Sequence, residues 1–205
     1  SEMCIRDRFT RSQDAPNKKS VKDLTIEVKQ SLVTVIHDGR GSAREGTGTG
    51  FAINKDLIAT CLHVIGEARP IHVRTINGKK LKVLSVHASD RKRDLAIIKI
   101  ENGNLKPLPL GNSKSLSQGD PVVALGNPMG LTGSVVQGVL SARRETELGE
   151  LLQLAIPVEP GNSGGPIFNL NGKLVGVSFA AIDKAKFLKK FGAIPTDLGY
   201  AINSN

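Results

Sequence analysis

The sequence predicts an all-β protein of barrel or sandwich type, and three observations carry the prediction. Short runs alternate apolar and polar residues at period two, as Ile71-His-Val-Arg-Thr75 does, and turn residues separate them at regular spacing. Glycine and proline are plentiful, 22 and 10 among 205 residues, which suits a chain that turns often. Asn77-Gly78 and Asn171-Gly172 stand between apolar runs, and Asn77-Gly78 carries the signal of a two-residue hairpin turn.

Taken in order, residues 1–19 are polar and charged and read as a disordered tail. Residues 1–8 join poorly to the rest of the chain, as an assembly artefact would. Ser20 with Asp23 marks the start of a short helix reaching about Gln30. Leu32, Val33, Val35 and Ile36 make a β-branched strand, followed by a short charged, glycine-bearing loop from Asp38 to Gly46. Thr47-Gly-Thr-Gly-Phe-Ala-Ile53 and Leu57-Ile-Ala-Thr-Cys-Leu62 pair across Asn54-Lys-Asp56, and His63 comes directly after the second run. Ile71–Thr75, Lys80–Val86 and Leu95–Ile100 are strands, with Asp94 at the entrance of the last. Residues 107–120 are rich in Pro, Gly, Ser and Asn and read as a connection between halves. Further strands lie at Val122–Gly126, Val135–Ala142, Leu151–Ile156, Ile167-Phe168 and Leu174–Phe179, the last two flanking Asn171-Gly172. Ala181–Phe191 reads as a packed surface helix, with Ile182, Ala185, Leu188 and Phe191 at roughly helical spacing, and Gly199–Ile202 is the closing strand. No internal repeat is evident at residue level.

Composition bounds the function. The length suits one large domain or two small ones, and 3% aromatic content with no Trp makes the core aliphatic. The formal charge of +9 permits an acidic partner. Lys79, Lys80, Lys82, Arg91, Lys92 and Arg93 nevertheless lie at turns and strand ends without interleaved aromatics, which describes a solvated basic face and argues against nucleic acid. Cys4 sits in a polar tail and Cys61 in an apolar run, so no disulfide is expected. The four histidines are dispersed with no metal-ligand spacing, so neither a metal nor a cofactor is expected. No apolar run approaches the ~18 residues of a membrane span.

One stretch stands apart: Pro160-Gly-Asn-Ser-Gly-Gly-Pro166. Glycines permit backbone angles other residues resist, and prolines fix the chain on either side. Such a loop can expose the Ser163 hydroxyl while backbone N–H groups converge on one point. A serine is a weak nucleophile until a base takes its proton, and the base needs a partner to fix its tautomer. His63 and Asp94, each at a strand boundary, supply both. Singly they would be a half-buried structural histidine and a turn cap; in the order His–Asp–Ser they form a candidate catalytic set.

At this point the chain resembles the HtrA/Deg family of trypsin-fold serine proteases from about Val21 to Asn205. The resemblance rests on seven ordered blocks. They are Gly46-Thr-Gly-Thr-Gly-Phe51, Ile58-Ala-Thr-Cys-Leu-His-Val-Ile65, Asp94-Leu-Ala-Ile-Ile-Lys99, Leu125-Gly-Asn-Pro-Met-Gly130, Val136-Gln-Gly-Val-Leu-Ser141, the serine loop and Leu198-Gly-Tyr-Ala-Ile202. It implies two six-stranded antiparallel β-barrels, the first at about 31–106 and the second at about 121–205, with the active site between them. Ser163 would be the nucleophile, His63 the general base and then acid, and Asp94 its orienting partner. The N–H groups of Gly161 and Ser163, with Asn162 between, would form the oxyanion hole. Val177, Ser178, Phe179 and Ala180 resemble the strand on which substrate backbone pairs, with Tyr200 and Ala201 walling the pocket. The substrates implied are unfolded or extended polypeptides cut after small aliphatic side chains, in protein quality control. The compartment implied is periplasmic or otherwise extracytoplasmic.

Departures from the family pattern qualify this. Asn162 stands where digestive enzymes carry an Asp that pairs with a newly cut N-terminus, so activation by cleavage is not expected. Pro157, six positions before Ser163, is not the acidic residue that selects Arg or Lys. Glu159 and Leu154-Ala155 replace a common Asn and Thr-Asp, the loop after Asp38 is short, and no PDZ domain is expected after Asn205. The resemblance allows a homo-oligomer, a trimer by family habit, and leaves the oligomeric state open, since Phe9 is the sole aromatic in the N-terminal segment where such trimers often use them. A second reading is a catalytically suppressed peptide-binding or chaperone-like module on the same fold.

Overall fold

The computed structural model describes residues 19–37, 46–66, 70–127, 133–146, 149–157, 161–179 and 199–204. The expected tail up to residue 18, the loop after Asp38, Glu159, Ala180 and the expected helix at Ala181–Phe191 lie outside these residues. Twelve strands close into two antiparallel barrels. The first comprises β1 (Leu32–His37), β2 (Gly46–Asn54), β3 (Leu57–Cys61), β4 (Ile71–Thr75), β5 (Lys80–Asp90) and β6 (Leu95–Ile100), in the order β1-β2-β3-β6-β5-β4. The second comprises β7 (Pro121–Gly126), β8 (Ser134–Thr146), β9 (Gly149–Leu154), β10 (Pro166–Asn169), β11 (Leu174–Phe179) and β12 (Gly199–Asn203). Its order, β7-β8-β9-β12-β11-β10, repeats that of the first barrel, though no repeat is visible in the residues.

The core arises from strand alternation. Ala96, Ile98 and Ile100 on β6 are buried, as are Val33 and Val35 on β1, and they fill the first barrel. Helix α1 (Val21–Lys29) is capped as expected, Ser20 Oγ accepting from Asp23 N–H, and packs Leu24 and Val28 into the same cluster. That cluster continues through the seam between barrels onto Val123, Leu125, Phe168, Val177 and Phe179. A separate aliphatic cluster, including Val122, Leu140, Leu152, Leu154 and Ile167, fills the second barrel.

The structure corrects three sequence expectations. Asn77-Gly78 does not form a two-residue hairpin. Gly78 N–H bonds to Thr75 O and Thr75 N–H to Lys79 O, so three residues form the loop, with Gly78 taking the positive φ of +82°. Asn171-Gly172 repeats this between Asn169 and Lys173, with Gly172 at φ +73°. Strand β8 runs past Ala142 to Thr146 although the sequence turns polar, because cross-strand pairs extend the ladder: Arg143 bonds Glu150 at 2.9 Å and Arg144 bonds Gln153 at 2.7 Å. Finally, the run ending at Leu62 is strand only to Cys61; Leu62–Ile65 is one helical turn, α2, and carries His63.

Candidate active site

Register explains how residues 31 positions apart meet. β3 pairs with β6 so that Cys61 faces Leu95. His63 just beyond one strand therefore lies beside Asp94 just before the other. The helical turn α2 begins with N–H groups that lack intrahelical partners, and Cys61, at the cap position, offers no side-chain bond. Asp94 supplies both missing acceptors: its carbonyl takes Leu62 N–H at 2.8 Å and its Oδ1 takes His63 N–H at 2.8 Å. The other carboxylate oxygen, Oδ2, bonds His63 Nδ1. Asp94 holds a positive φ of 54°, a conformation that Asp and Asn tolerate better than most residues. The imidazole is thus fixed at both its backbone and its ring, and about half of its side-chain surface stays open.

Ser163 lies in the loop between β9 and β10 of the second barrel and is 5% exposed. Its loop is tied down peptide by peptide. Asn162 C=O accepts Gly165 N–H at 2.9 Å. A planar trans peptide turns its C=O and N–H to opposite sides, so the Ser163 N–H points away from that bond. Among the described residues it meets no acceptor, as an oxyanion donor requires. Gly161, at φ +99°, occupies a conformation that favours glycine. The Asn162 side chain packs on Gly126, where a Cβ would stand 2.2 Å from Asn162 Oδ1.

The two halves of the site meet at Ser178. Its carbonyl accepts both Gly164 N–H, next to Ser163, and the Cys61 thiol, two residues before His63. Gly164 is pressed against the first barrel: a Cβ there would lie 2.2 Å from Thr49 O and 3.0 Å from Cys61 N. No hydrogen bond joins Ser163 to His63 among the described residues.

The expected substrate residues divide by face. Val177 pairs with Ile202 and Phe179 with Tyr200, and these belong to the cluster at the seam. Ser178 pairs with Ala201, which is fully buried in the second barrel. Ser178 N–H already bonds Gly165 O, so Val177 and Ser178 are held by the protein's own strands and loop. Ala180, the last of the expected strand residues, lies outside the described residues.

Cys61, His63 and Asp94 place one donor atom each within 4.8 Å of one another. The set does not suit a metal. Burial, helped by the Asp94 charge, pushes the Cys61 thiol up to about 12, so it keeps its proton, and Asp94 already holds the ring nitrogen. Cys61 is a free cysteine. Sequence reasoning passed over Thr49, Thr60 and Asn127. All three are fully buried and hydrogen-bonded beside the loop, and their only trace in the sequence is membership of glycine-rich or apolar blocks.

The trypsin-like peptidase domain model matches residues 48–177. The chain belongs to the trypsin-like peptidase family. Within it the chain is of the HtrA/Deg type. The probable periplasmic serine endoprotease DegP-like of Pseudomonas fluorescens is 36% identical over 96% of this chain and 43% of its own length. That of Chlamydia pneumoniae is 40% identical over 66% of this chain and 29% of its own length. The chain therefore spans less than half the length of these curated relatives. Among solved structures, the HtrA-type protease AlgW with tripeptide matches with a TM-score of 0.78 at 26% identity, over 90% of this chain and 60% of that one. The serine endoprotease from Yersinia pestis matches with a TM-score of 0.73 at 30% identity, over 90% and 62%. The expected double barrel and family are both borne out.

Proposed function

We propose that this HtrA/Deg-type trypsin-like peptidase hydrolyses peptide bonds in unfolded or exposed protein segments, with His63, Asp94 and Ser163 as its triad. Ser163 Oγ attacks the carbonyl carbon while His63 Nε2 takes its proton, and that proton then passes to the leaving amine. Asp94 keeps the proton of the resting ring on Nδ1 and stabilises the imidazolium. The negative oxygen of the tetrahedral intermediate is met by the N–H groups of Gly161 and Ser163. Water, activated by His63, releases the acyl group in the second half. The observation that carries this reading is the double Asp94 bond to His63, backbone and ring, on a barrel that meets the Ser163 loop through the Cys61 thiol and Gly164 N–H at Ser178 O.

Extended substrate would add at the end of β11, beyond Val177 and Ser178, whose partners are the protein's own. The absence of an acid at Pro157 and the apolar surround of Tyr200 and Ala201 support a preference for small aliphatic side chains before the cut. The periplasmic names of the relatives support an extracytoplasmic role in protein quality control, and the family habit supports a homotrimer. Among the described residues no helix is long and apolar enough to cross a membrane. A second reading, binding of extended peptide without cleavage, is favoured by the missing Ser163–His63 hydrogen bond. A fluorophosphonate probe separates the two: it labels Ser163 if the first holds, and Ser163→Ala then abolishes casein turnover, a loss on the order of 10⁶. A folded protein that stays unlabelled refutes the first reading.

A further inference from the structure

The machinery around Ser163 belongs to the second barrel, yet one residue of the first barrel touches it three ways. Thr49, on β2, is fully buried. Its hydroxyl donates to Gly161 O at 2.6 Å and accepts Asn127 N–H at 2.9 Å. Its backbone N–H donates to Ser163 O at 2.9 Å. Its carbonyl accepts Thr60 Oγ1 at 2.7 Å, which anchors it within the first barrel. We infer that Thr49 is a positioning residue for the oxyanion loop, acting through its hydroxyl bond to Gly161 O; the inference rests on the proposed role of Ser163 as nucleophile.

The physical reason is that fixing the peptide after a donor limits rotation about the α-carbon that the two share. The proposed donors are the N–H groups of Gly161 and Ser163. Thr49 holds the carbonyls that come immediately after each of them along the chain. Between those two anchors, Asn162 O is held by Gly165 N–H. Three successive peptides, 161–162, 162–163 and 163–164, therefore have fixed planes, two of them held by Thr49. Gly161, at φ +99° and with no side chain, is the residue best able to swing its peptide. The Thr49 hydroxyl is the one described side-chain bond that restrains it. Since a hydroxyl carries one proton, the Asn127 N–H fixes its direction by occupying a lone pair, leaving the proton for Gly161 O. Pre-organised donors are effective because they need no reorganisation when charge develops, so loosening Gly161 weakens transition-state binding more than substrate binding.

The test compares Thr49→Val, which keeps the shape and removes the hydroxyl, with Thr49→Ser, which keeps the hydroxyl. With a fluorogenic peptide, Thr49→Val is expected to lower kcat about ten- to a hundredfold, short of the ~10²–10³ of losing an oxyanion donor outright, while KM moves less than about twofold. Thr49→Ser stays within about threefold of the parent chain. A second readout needs no turnover. Exchange of the Gly164 and Gly165 amide hydrogens, which bond to Ser178 O and Asn162 O, speeds up in Thr49→Val and not in Thr49→Ser. If Thr49→Val fails to fold, Thr49→Cys, a weak donor of similar size, takes its place. Unchanged exchange, a kcat within about twofold of the parent, or equal loss in Thr49→Ser overturns the inference. If the parent chain is inert while exchange shows the expected pattern, the positioning role stands and the endopeptidase reading fails.

Discussion

Gly164→Ala separates the seam between the barrels from the backbone strain of the loop. At φ +84° any L-residue is strained, by about 1–2 kcal/mol. Gly78 has nearly the same φ, +82°, with nothing within 4 Å of a Cβ, so Gly78→Ala measures that strain alone. At Gly164 the added methyl also meets Thr49 O at 2.2 Å and Thr60 Oγ1 at 2.4 Å. Overpacking of that kind costs about 1–3 kcal/mol. Relief by parting the barrels would weaken the Thr49 N–H to Ser163 O and Thr49 Oγ1 to Gly161 O bonds, worth about 1 kcal/mol each. Gly164→Ala should therefore lose about 3–6 kcal/mol, a large share of the 5–15 kcal/mol of a typical domain, against about 1–2 for Gly78→Ala. Urea unfolding monitored by circular dichroism measures both; with no Trp and one Tyr, intrinsic fluorescence would report poorly. Equal losses at the two glycines would refute the close seam contact.

Three further predictions concern the site. Asp94→Asn keeps an acceptor for the His63 N–H and tolerates the positive φ, so stability should hold within about 1 kcal/mol while kcat falls about 10⁴-fold; Asp94→Ala should lose both, as thermal melts and peptide kinetics will tell. His63→Ala should cost about 10⁶ in kcat with a fluorogenic peptide, and kinetics near those of the parent chain would count against His63 as the base. The Cys61 thiol is raised from 9.0 to about 12, so the folded state prefers its protonated form; the resulting stability is complete below about pH 9 and is lost as pH rises towards 12, up to about 4 kcal/mol in all. Peptide-level alkylation should accordingly find Cys61 unreactive in the native protein and reactive in urea, and rapid native labelling would contradict its burial.

Much of this was legible in the chain because it depends on local chemistry. Alternation at Ile71–Thr75 and in Leu95–Ile100 marks strands wherever they end up, since period two and β-branching are properties of the segment. The glycines and prolines around Ser163 announce an unusual loop for the same reason. Strand ends were less legible: polar Arg143–Thr146 joins β8 because it pairs with residues 149–152 of β9 and its arginines bond Glu150 and Gln153, and the sequence does not state who stands across. Likewise the run to Leu62 looks like strand throughout, and it breaks into a helical turn because Asp94, 31 residues on, supplies the acceptors that Cys61 lacks.

By itself, then, the sequence determined the strand-rich class, the aliphatic core, and the three side chains proposed as nucleophile, base and orienting acid. The tertiary structure decided which of them meet. The β3–β6 register brings Asp94 to both the backbone and the ring of His63, and the seam presses Gly164 onto Thr49, so that a first-barrel residue holds the second barrel's serine loop. It also divided the expected substrate residues between the seam and the second barrel's interior. The physical reason is common to all of these. Side-chain chemistry and backbone preference are carried by residues, whereas a hydrogen bond across about a hundred residues exists only once closed barrels have fixed both partners in place.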